Sequence, residues 1–296
     1  MASEPASTSP LHVALVGAGS VGTSVASLLK GRGHDIVSVW SRSPESASRA
    51  AARLGTTVAS TPAEAAGNAD VVLIGASDSG IGTVAGRIVA GLRPGAVVVH
   101  FAGALGIAPL ERVMEAGAHP AALHPVQSLP DADVGPERLP GSAWGVTCRR
   151  DIVGWARAFV EDELDGVPVE VAEDDRVLWH AAAVITSNGV AALVSTGVSL
   201  LRGLGVADPQ HVLGPLAKGT LANLDALGRD GAAFTGPVVR GDRSTVERHL
   251  VALSERFPEL LAEYRLIARA IVSGAARTAR IEPEVARSMQ ELLEPA

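Results

Sequence analysis

Residues 179–189 read WHAAAVITSNG, a histidine and an asparagine set into an otherwise apolar run. Eight residues separate His180 from Asn188, with Val184 midway, so on an α-helix the three fall within about 80° of one face. An imidazole titrates near neutrality and can give a proton to a carbonyl oxygen. A second histidine, His124 in LHPVQS, follows a short apolar run, at the carboxyl edge where open α/β sheets bind ligands. Ser128 lies four residues further on and can donate a hydrogen bond to a substrate. In FTGPVVRGD, Thr235 offers a hydroxyl and Arg240 a guanidinium able to clamp a carboxylate through two N–H bonds. Each residue also has a structural reading. His180 could hydrogen-bond within a core beside Trp179, His124 could order its loop, Ser128 could close a turn, and Arg240 could pair with Asp242.

A glycine array specifies the other partner of such chemistry. VALVGAGSVGTSVASLLKG places Gly17, Ala18, Gly19, Ser20, Val21 and Gly22 as G-x-G-x-x-G, directly after a strand and at the start of a helix. Gly17 permits the turn, Gly19 lets a pyrophosphate reach the backbone, and Gly22 lets helix and strand pack closely, which is the arrangement for a dinucleotide. A site for NAD ends the second strand in Asp or Glu, whereas here the residues are Ser41, Arg42 and Ser43. Arg42 stands 20 residues after Gly22, where a guanidinium can pair with a 2′-phosphate, so NADP(H) is the expected cofactor. Ala76, Ser77, Asp78 and Ser79 follow the third strand and should flank the cofactor, with Asp78 also available as a helix cap. His100, His119 and His124 have no acidic or cysteine partner at ligand spacing, and no metal is expected.

These groups must be positioned by regular elements. Runs at 13–16, 36–40, 71–74, 97–100 and 121–123 predict buried strands separated by alanine-rich helices, an α/β pattern of Rossmann type with a doubly wound parallel sheet. Two further runs, 143–148 and 169–171, extend that sheet. Beyond about residue 172 the pattern predicts helices only. Asp208-Pro209 and Glu282-Pro283 mark helix starts, and Ser244 with Glu247 forms a capping-box pattern. The expected organisation is a flexible tail over 1–10, an NADP-binding Rossmann-like domain over 11–172, and a second, all-helical domain for substrate and dimerisation over 173–296.

Composition narrows the function class. A chain of 296 residues with 47% hydrophobic content exceeds what one core usually holds. The net charge of −7, with 25 basic residues scattered along the chain, argues against a nucleic-acid partner. The lone cysteine, Cys148, leaves no internal disulfide, and a cytoplasmic location is expected. Residues 177–201 carry no charge and could span a bilayer by length, yet Thr186, Ser187, Asn188, Ser195, Thr196 and Ser199 load the run with polar groups. We therefore expect no membrane span and a homodimer formed through the helical domain.

An NADP-binding α/β domain joined to an all-helical one resembles the 6-phosphogluconate dehydrogenase-like reductases. More narrowly, LHPVQSLP at 123–130, WHAAAVITSN at 179–188 and FTGPVVRGDRSTVERHL at 234–250 resemble a bacterial group of Rossmann-like proteins whose helical C-terminal domain has long lacked an assigned function. The resemblance runs from about residue 11 through nearly the whole chain. Hydroxyacid dehydrogenases among these relatives carry a Lys-x-x-x-Asn pair on the helix entering the second domain, the lysine moving the substrate proton and the asparagine orienting the substrate, which implies the orienting role for Asn188. Aligning their Asn-Gly with Asn188-Gly189 puts Val184 where the lysine belongs, and the chain's two lysines, Lys30 and Lys218, are not spaced to replace it. His180 or His124 must then supply the proton, and His124 stands like the His-Pro histidine of prephenate dehydrogenases. The resemblance implies an NADPH-dependent reductase of a small carboxylate-bearing ketone. Ketopantoate (2-dehydropantoate) is the first choice, because ketopantoate reductases share the architecture. An imine reductase similar to pyrroline-5-carboxylate reductase, or an NADP(H)-binding sensor without turnover, remain alternatives.

Overall fold

The computed structural model describes residues 10–227 and 234–295. Its first part alternates strand and helix: β1 His12–Val16, α1 Ser20–Gly31, β2 Asp35–Trp40, α2 Pro44–Leu54, α3 Pro62–Ala66, β3 Val71–Ile74, α4 Ile81–Ile88, β4 Val97–His100, α5 Glu111–Glu115 and β5 His119–Pro125. A short α6 (Gly135–Arg138), β6 (Ala143–Cys148), α7 (Val153–Ala158) and β7 (Val167–Glu170) complete it. The remaining helices are α8 Arg176–Gly203, α9 Pro209–Leu227, α10 Arg243–Arg256, α11 Pro258–Arg277 and α12 Pro283–Leu292. Among the described residues no strand follows Glu170. The chain divides into two compact units within α8, after Val184.

The seven strands form one sheet in the order β2-β1-β3-β4-β5-β6-β7. Strand residues alternate between two cores. Val13, Leu15, Leu73, Val99 and Leu123 pack with α1, α2 and α7 on one face, and Ala14, Val16, Val72, Ile74 and Val98 pack with α3, α4 and α5 on the other. Because β1 is flanked by β2 on one side and β3 on the other, the winding reverses there, and the carboxyl ends of β1 and β3 open into a crevice.

The sheet departs from the all-parallel expectation at β6, which runs antiparallel to β5. A parallel return would need a crossover helix, and the 126–142 connection holds only the four-residue α6, so the strand turns back instead. β7, reached through α7, is parallel to β6. The antiparallel register sets Gly145 directly opposite His124.

In the second unit α10, α11 and α12 share a core of Val246, Leu250, Ala268, Val272 and Met289. Asp208 caps α9, accepting from the His211 amide at 3.1 Å. The capping box expected at Ser244 and Glu247 is not the one formed. Asp242 caps α10 instead, taking the Thr245 amide at 3.1 Å and hydroxyl at 2.8 Å, while Glu247 pairs with Arg243. A carboxylate two residues earlier matches the helix start at Arg243, and these hydrogen bonds hold its pKa below the usual aspartate value. Along α8 lie Val177, Leu178, Ile185 and Leu193, and along α9 Val212, Leu216, Leu221 and Leu224, all exposed. By length and composition α8 could cross a membrane, and none of its most apolar window is buried within the chain.

Candidate functional site

The glycine loop is closed by backbone against backbone. Gly17 has a φ of +95° and donates its amide to the Trp40 carbonyl at 2.7 Å. The Gly19 amide donates to the Gly75 carbonyl at 3.0 Å, and the Gly75 amide to Val16 at 3.0 Å. A β-carbon on Gly17 would lie 2.8 Å from the Gly75 carbonyl carbon, one on Gly22 would lie 2.9 Å from the Gly75 α-carbon, and one on Gly75 would overlap the Gly17 carbonyl. Gly75, just after β3, is therefore a fourth member of the array, outside the G-x-G-x-x-G motif. Its signal was a glycine directly following VVLI. Gly19 precedes α1 with no side chain capping the helix, so the first-turn amides of Ser20, Val21 and Gly22 face outward as an anion cradle.

From this loop a cleft of about 500 Å³ runs past β2 and β3, lined by Gly17, Ala18, Gly19, Ser41, Arg42, Ser43, Ala76 and Ser77. Trp40 and Arg87 also line it, with the Arg87 guanidinium 4.9 Å from the centre of the Trp40 ring. Neither residue belongs to a motif that marks it as cofactor-binding in the sequence. Ser43 caps α2 by accepting from the Ser46 amide, and Arg42 is exposed. Ser20 and Val21 lie outside the cleft lining, and the Ser20 hydroxyl donates to the Leu129 carbonyl at 3.1 Å. That bond ties the loop carrying Ser128 to the start of α1. The Ser128 carbonyl accepts from Arg138 at 3.0 Å, and its side chain is exposed. Asp78 caps no helix; it opens a short 3₁₀ turn ahead of α4.

The two histidines proposed as rivals are neighbours. Their rings meet edge to face, 5.4 Å between centres and at 86°. His124 is the penultimate residue of β5 rather than part of the loop beyond it, and His180 lies in the second turn of α8. Gly103, in the loop after β4, makes the approach possible. A β-carbon there would overlap His180 and lie 2.9 Å from His124 Nε2. His180 Nδ1 is buried without a hydrogen-bond partner among the described residues, which does not match the core hydrogen-bonding role considered for it. His124 Nδ1 accepts from the Trp179 indole N–H at 3.1 Å. Burial, then the nearby Arg176 charge, then His180 push the His124 pKa down to about 4.

Arg176 is fully buried at the first turn of α8. Its guanidinium donates to three carbonyls, Leu105 and Gly145 at 3.0 Å and Ala102 at 2.5 Å, which joins the loop after β4 to β6. Burial lowers its pKa to about 10, leaving it charged at neutrality. Glu173, the carboxylate that shares its surroundings, accepts from the Ile107 and Ala108 amides at 2.8 and 3.1 Å. His100 is buried and turned inward: Nδ1 accepts from the Ala102 amide, Nε2 donates to the Gly106 carbonyl, and burial pushes its pKa down to about 4. It organises the loop that carries Gly103. His119 opens β5, about 16 Å along the strand from His124.

The other expected substrate groups belong to the second unit. Asn188 is exposed on α8. Thr235 and Arg240 lie in the segment before α10, where the Arg240 amide donates to the Gly236 carbonyl at 3.1 Å in a turn. Arg240 is exposed and forms no ion pair among the described residues, since Asp242 is engaged by Thr245 and Ser244.

A Rossmann-like domain matches residues 3–125, and the domain of unknown function DUF2520 matches residues 142–271. Among curated proteins none matches the chain. Among solved structures, a protein from Bacteroides fragilis named as a candidate NADP oxidoreductase is 25% identical, with a TM-score of 0.73 over 88% of this chain and 98% of that one. An imine reductase from Streptomyces aurantiacus is 19% identical, with a TM-score of 0.62 over 96% and 100%. A pyrroline-5-carboxylate reductase from Coxiella burnetii is 14% identical, with a TM-score of 0.57 over 97% and 100%. Residues 3–125 are thus similar to a Rossmann-like domain and residues 142–271 to DUF2520, in a fold shared with solved structures named as oxidoreductases.

Proposed function

We propose that the protein is an NADP(H)-dependent reductase of a small carboxylate-bearing ketone, with 2-dehydropantoate the first substrate to test. The observation that carries the reading is the cradle in which Gly17, Gly22 and Gly75 leave no room for a β-carbon. It opens under an uncapped helix and is lined at its far end by Arg42 and Arg87. A backbone packed this tightly, beside free amides and two guanidinium groups, fits a pyrophosphate and a 2′-phosphate. The similarity to a candidate NADP oxidoreductase supports the same cofactor. NADPH supplies the hydride.

This chain's residues supply the rest. His124 and His180 share the carboxyl edge of the sheet with the cleft, and the buried Arg176 cation adds positive potential there. That field favours negative charge building on a substrate oxygen and opposes a cationic iminium, which is why a ketone is preferred. As the carbonyl carbon is reduced, the π electrons pass to oxygen, and that oxygen takes a proton from His180, which recharges from solvent. Asn188 is assigned to orient the carbonyl, Arg240 with Thr235 to clamp the carboxylate, and Ser128 to donate a hydrogen bond to the substrate. The exposed apolar residues of α8 and α9 are assigned to a second copy of the chain, and a clean monomer by light scattering at micromolar concentration would overturn that part.

The test is loss of NADPH absorbance against a panel of 2-oxo acids and cyclic imines. Turnover of the oxo acids is the expected result. Turnover of imines alone would select the alternative suggested by the pyrroline-5-carboxylate reductase and imine reductase folds. Tight NADPH binding with no turnover anywhere would point to a sensor.

A further inference from the structure

We propose that Trp179 is a positioning residue that holds His124 as a neutral imidazole with its proton on Nε2, so that His124 meets the substrate as a fixed hydrogen-bond donor and leaves proton transfer to His180. The role in reduction rests on the function proposed above; the state of the ring does not.

An indole N–H can only donate. With Trp179 Nε1 placed 3.1 Å from His124 Nδ1, that nitrogen must present its lone pair. The imidazolium and the Nδ1–H tautomer would each set one N–H against another, so both lose this bond. The indole has little freedom to retreat. Gly145, opposite His124 in the β5–β6 register, has no side chain, and a β-carbon there would lie 2.6 Å from Trp179 Nε1. The same Gly145 carries the carbonyl that accepts from Arg176 Nη1. One glycine therefore seats both the ring that fixes the tautomer and the charge that opposes protonation.

The charged and titratable groups set against His124 are Arg176 and His180, both on α8. His100 on β4 is turned into its own loop, and the Glu173 carboxylate is engaged by two amides. Among the described residues no carboxylate is placed to draw a proton onto His124, in agreement with its lowered pKa. A neutral imidazole N–H is far too weak an acid to give up its proton at neutral pH, but it can donate a hydrogen bond to an oxygen gaining charge. Of the paired rings, His180 is the one whose Nδ1 has no hydrogen-bond partner among the described residues.

The test is ¹⁵N NMR of the full-length protein labelled at histidine, titrated between pH 8 and 5 without substrate, with the His124 signal assigned by its loss in His124→Gln. The expected result is an Nε2–H pattern that holds unchanged to pH 5. An Nδ1–H pattern, or a midpoint near the ordinary imidazole value of about 6.5, overturns the proposal with no variant needed. In Trp179→Phe, which keeps an aromatic ring and removes the donor, the signal should become a mixture of tautomers with a raised midpoint. An unchanged spectrum in a folded Trp179→Phe would assign the tautomer to burial and Arg176 alone and overturn the role of Trp179. Lack of turnover on every substrate would sink the reductase reading and leave the NMR result standing. Turnover together with a protonated His124 would sink only this inference.

Discussion

The nucleotide loop and the histidine site lie on the same sheet edge but are specified in opposite ways. The loop is made by main chain: Gly17, Gly19, Gly22 and Gly75 act by what they lack, and the amides they free come from any residue. The histidine site is made by side chains from separate parts of the chain, with His124 on β5, Trp179 and His180 on α8, and Arg176 bridging the loop after β4 to β6. A loop built from backbone tolerates change in its outward side chains and fails when a methyl group is added. A site built from hydrogen-bonded side chains fails when one donor is exchanged, even for a residue of similar size.

The largest effect should come from adding a methyl group to the first region. Gly75→Ala would push a β-carbon into the Gly17 carbonyl. NADPH affinity should fall by at least about 100-fold, or roughly 2.7 kcal/mol, measured by fluorescence titration. Circular dichroism would show whether the helices and sheet persist. Parent-like binding would mean that the closure between β1 and β3 does not form the cradle.

The second region should separate binding from turnover. His180→Ala should lower kcat by roughly 10²-fold or more while NADPH affinity stays near the parent value, since general acid catalysis is worth about 10² to 10⁴. His124→Ala should also slow turnover, through the lost hydrogen bond. If His124→Ala abolishes activity and His180→Ala is near normal, the acid is the β5 histidine, and His124 is not the mere hydrogen-bond donor assigned to it. If both stay active, the paired rings are structural.

How far each region could be read follows from the same contrast. The glycine array, Arg42 and all seven strands were visible because local spacing carries them, and G-x-G-x-x-G after a β-branched run needs no distant partner. The antiparallel turn at β6 was missed, because orientation depends on what the 126–142 connection lacks. Asp242 was missed as a cap, since a known pattern, Ser244 with Glu247, begins two residues later. His124 and His180 were found as separate candidates, but nothing in the spacing of 56 residues says that their rings touch. Arg176 had no signal at all. It looked like the last charge before an uncharged helix, and only three carbonyls from 102, 105 and 145 show why it is buried.

The smallest effect concerns the one part of the nucleotide region that depends on side chains. Arg42 is exposed at the end of β2, where water and salt screen its charge, so its contribution is modest. We expect NADPH to bind at least about tenfold more tightly than NADH, near 1.4 kcal/mol, and Arg42→Ala to remove most of that preference with NADH affinity unchanged. Arg87 lines the same cleft but lies against the Trp40 ring, so Arg87→Ala should cost less selectivity and more of the affinity common to both cofactors. Titration of each protein with both dinucleotides, at low and high salt, separates the two roles. A loss of preference in Arg42→Ala that shrinks with added salt would mark a screened charge pair. Equal affinity for NADPH and NADH in the parent would mean that Ser41, Arg42 and Ser43 do not read the 2′-phosphate, and that the cradle, although built as the glycines require, does not select between dinucleotides.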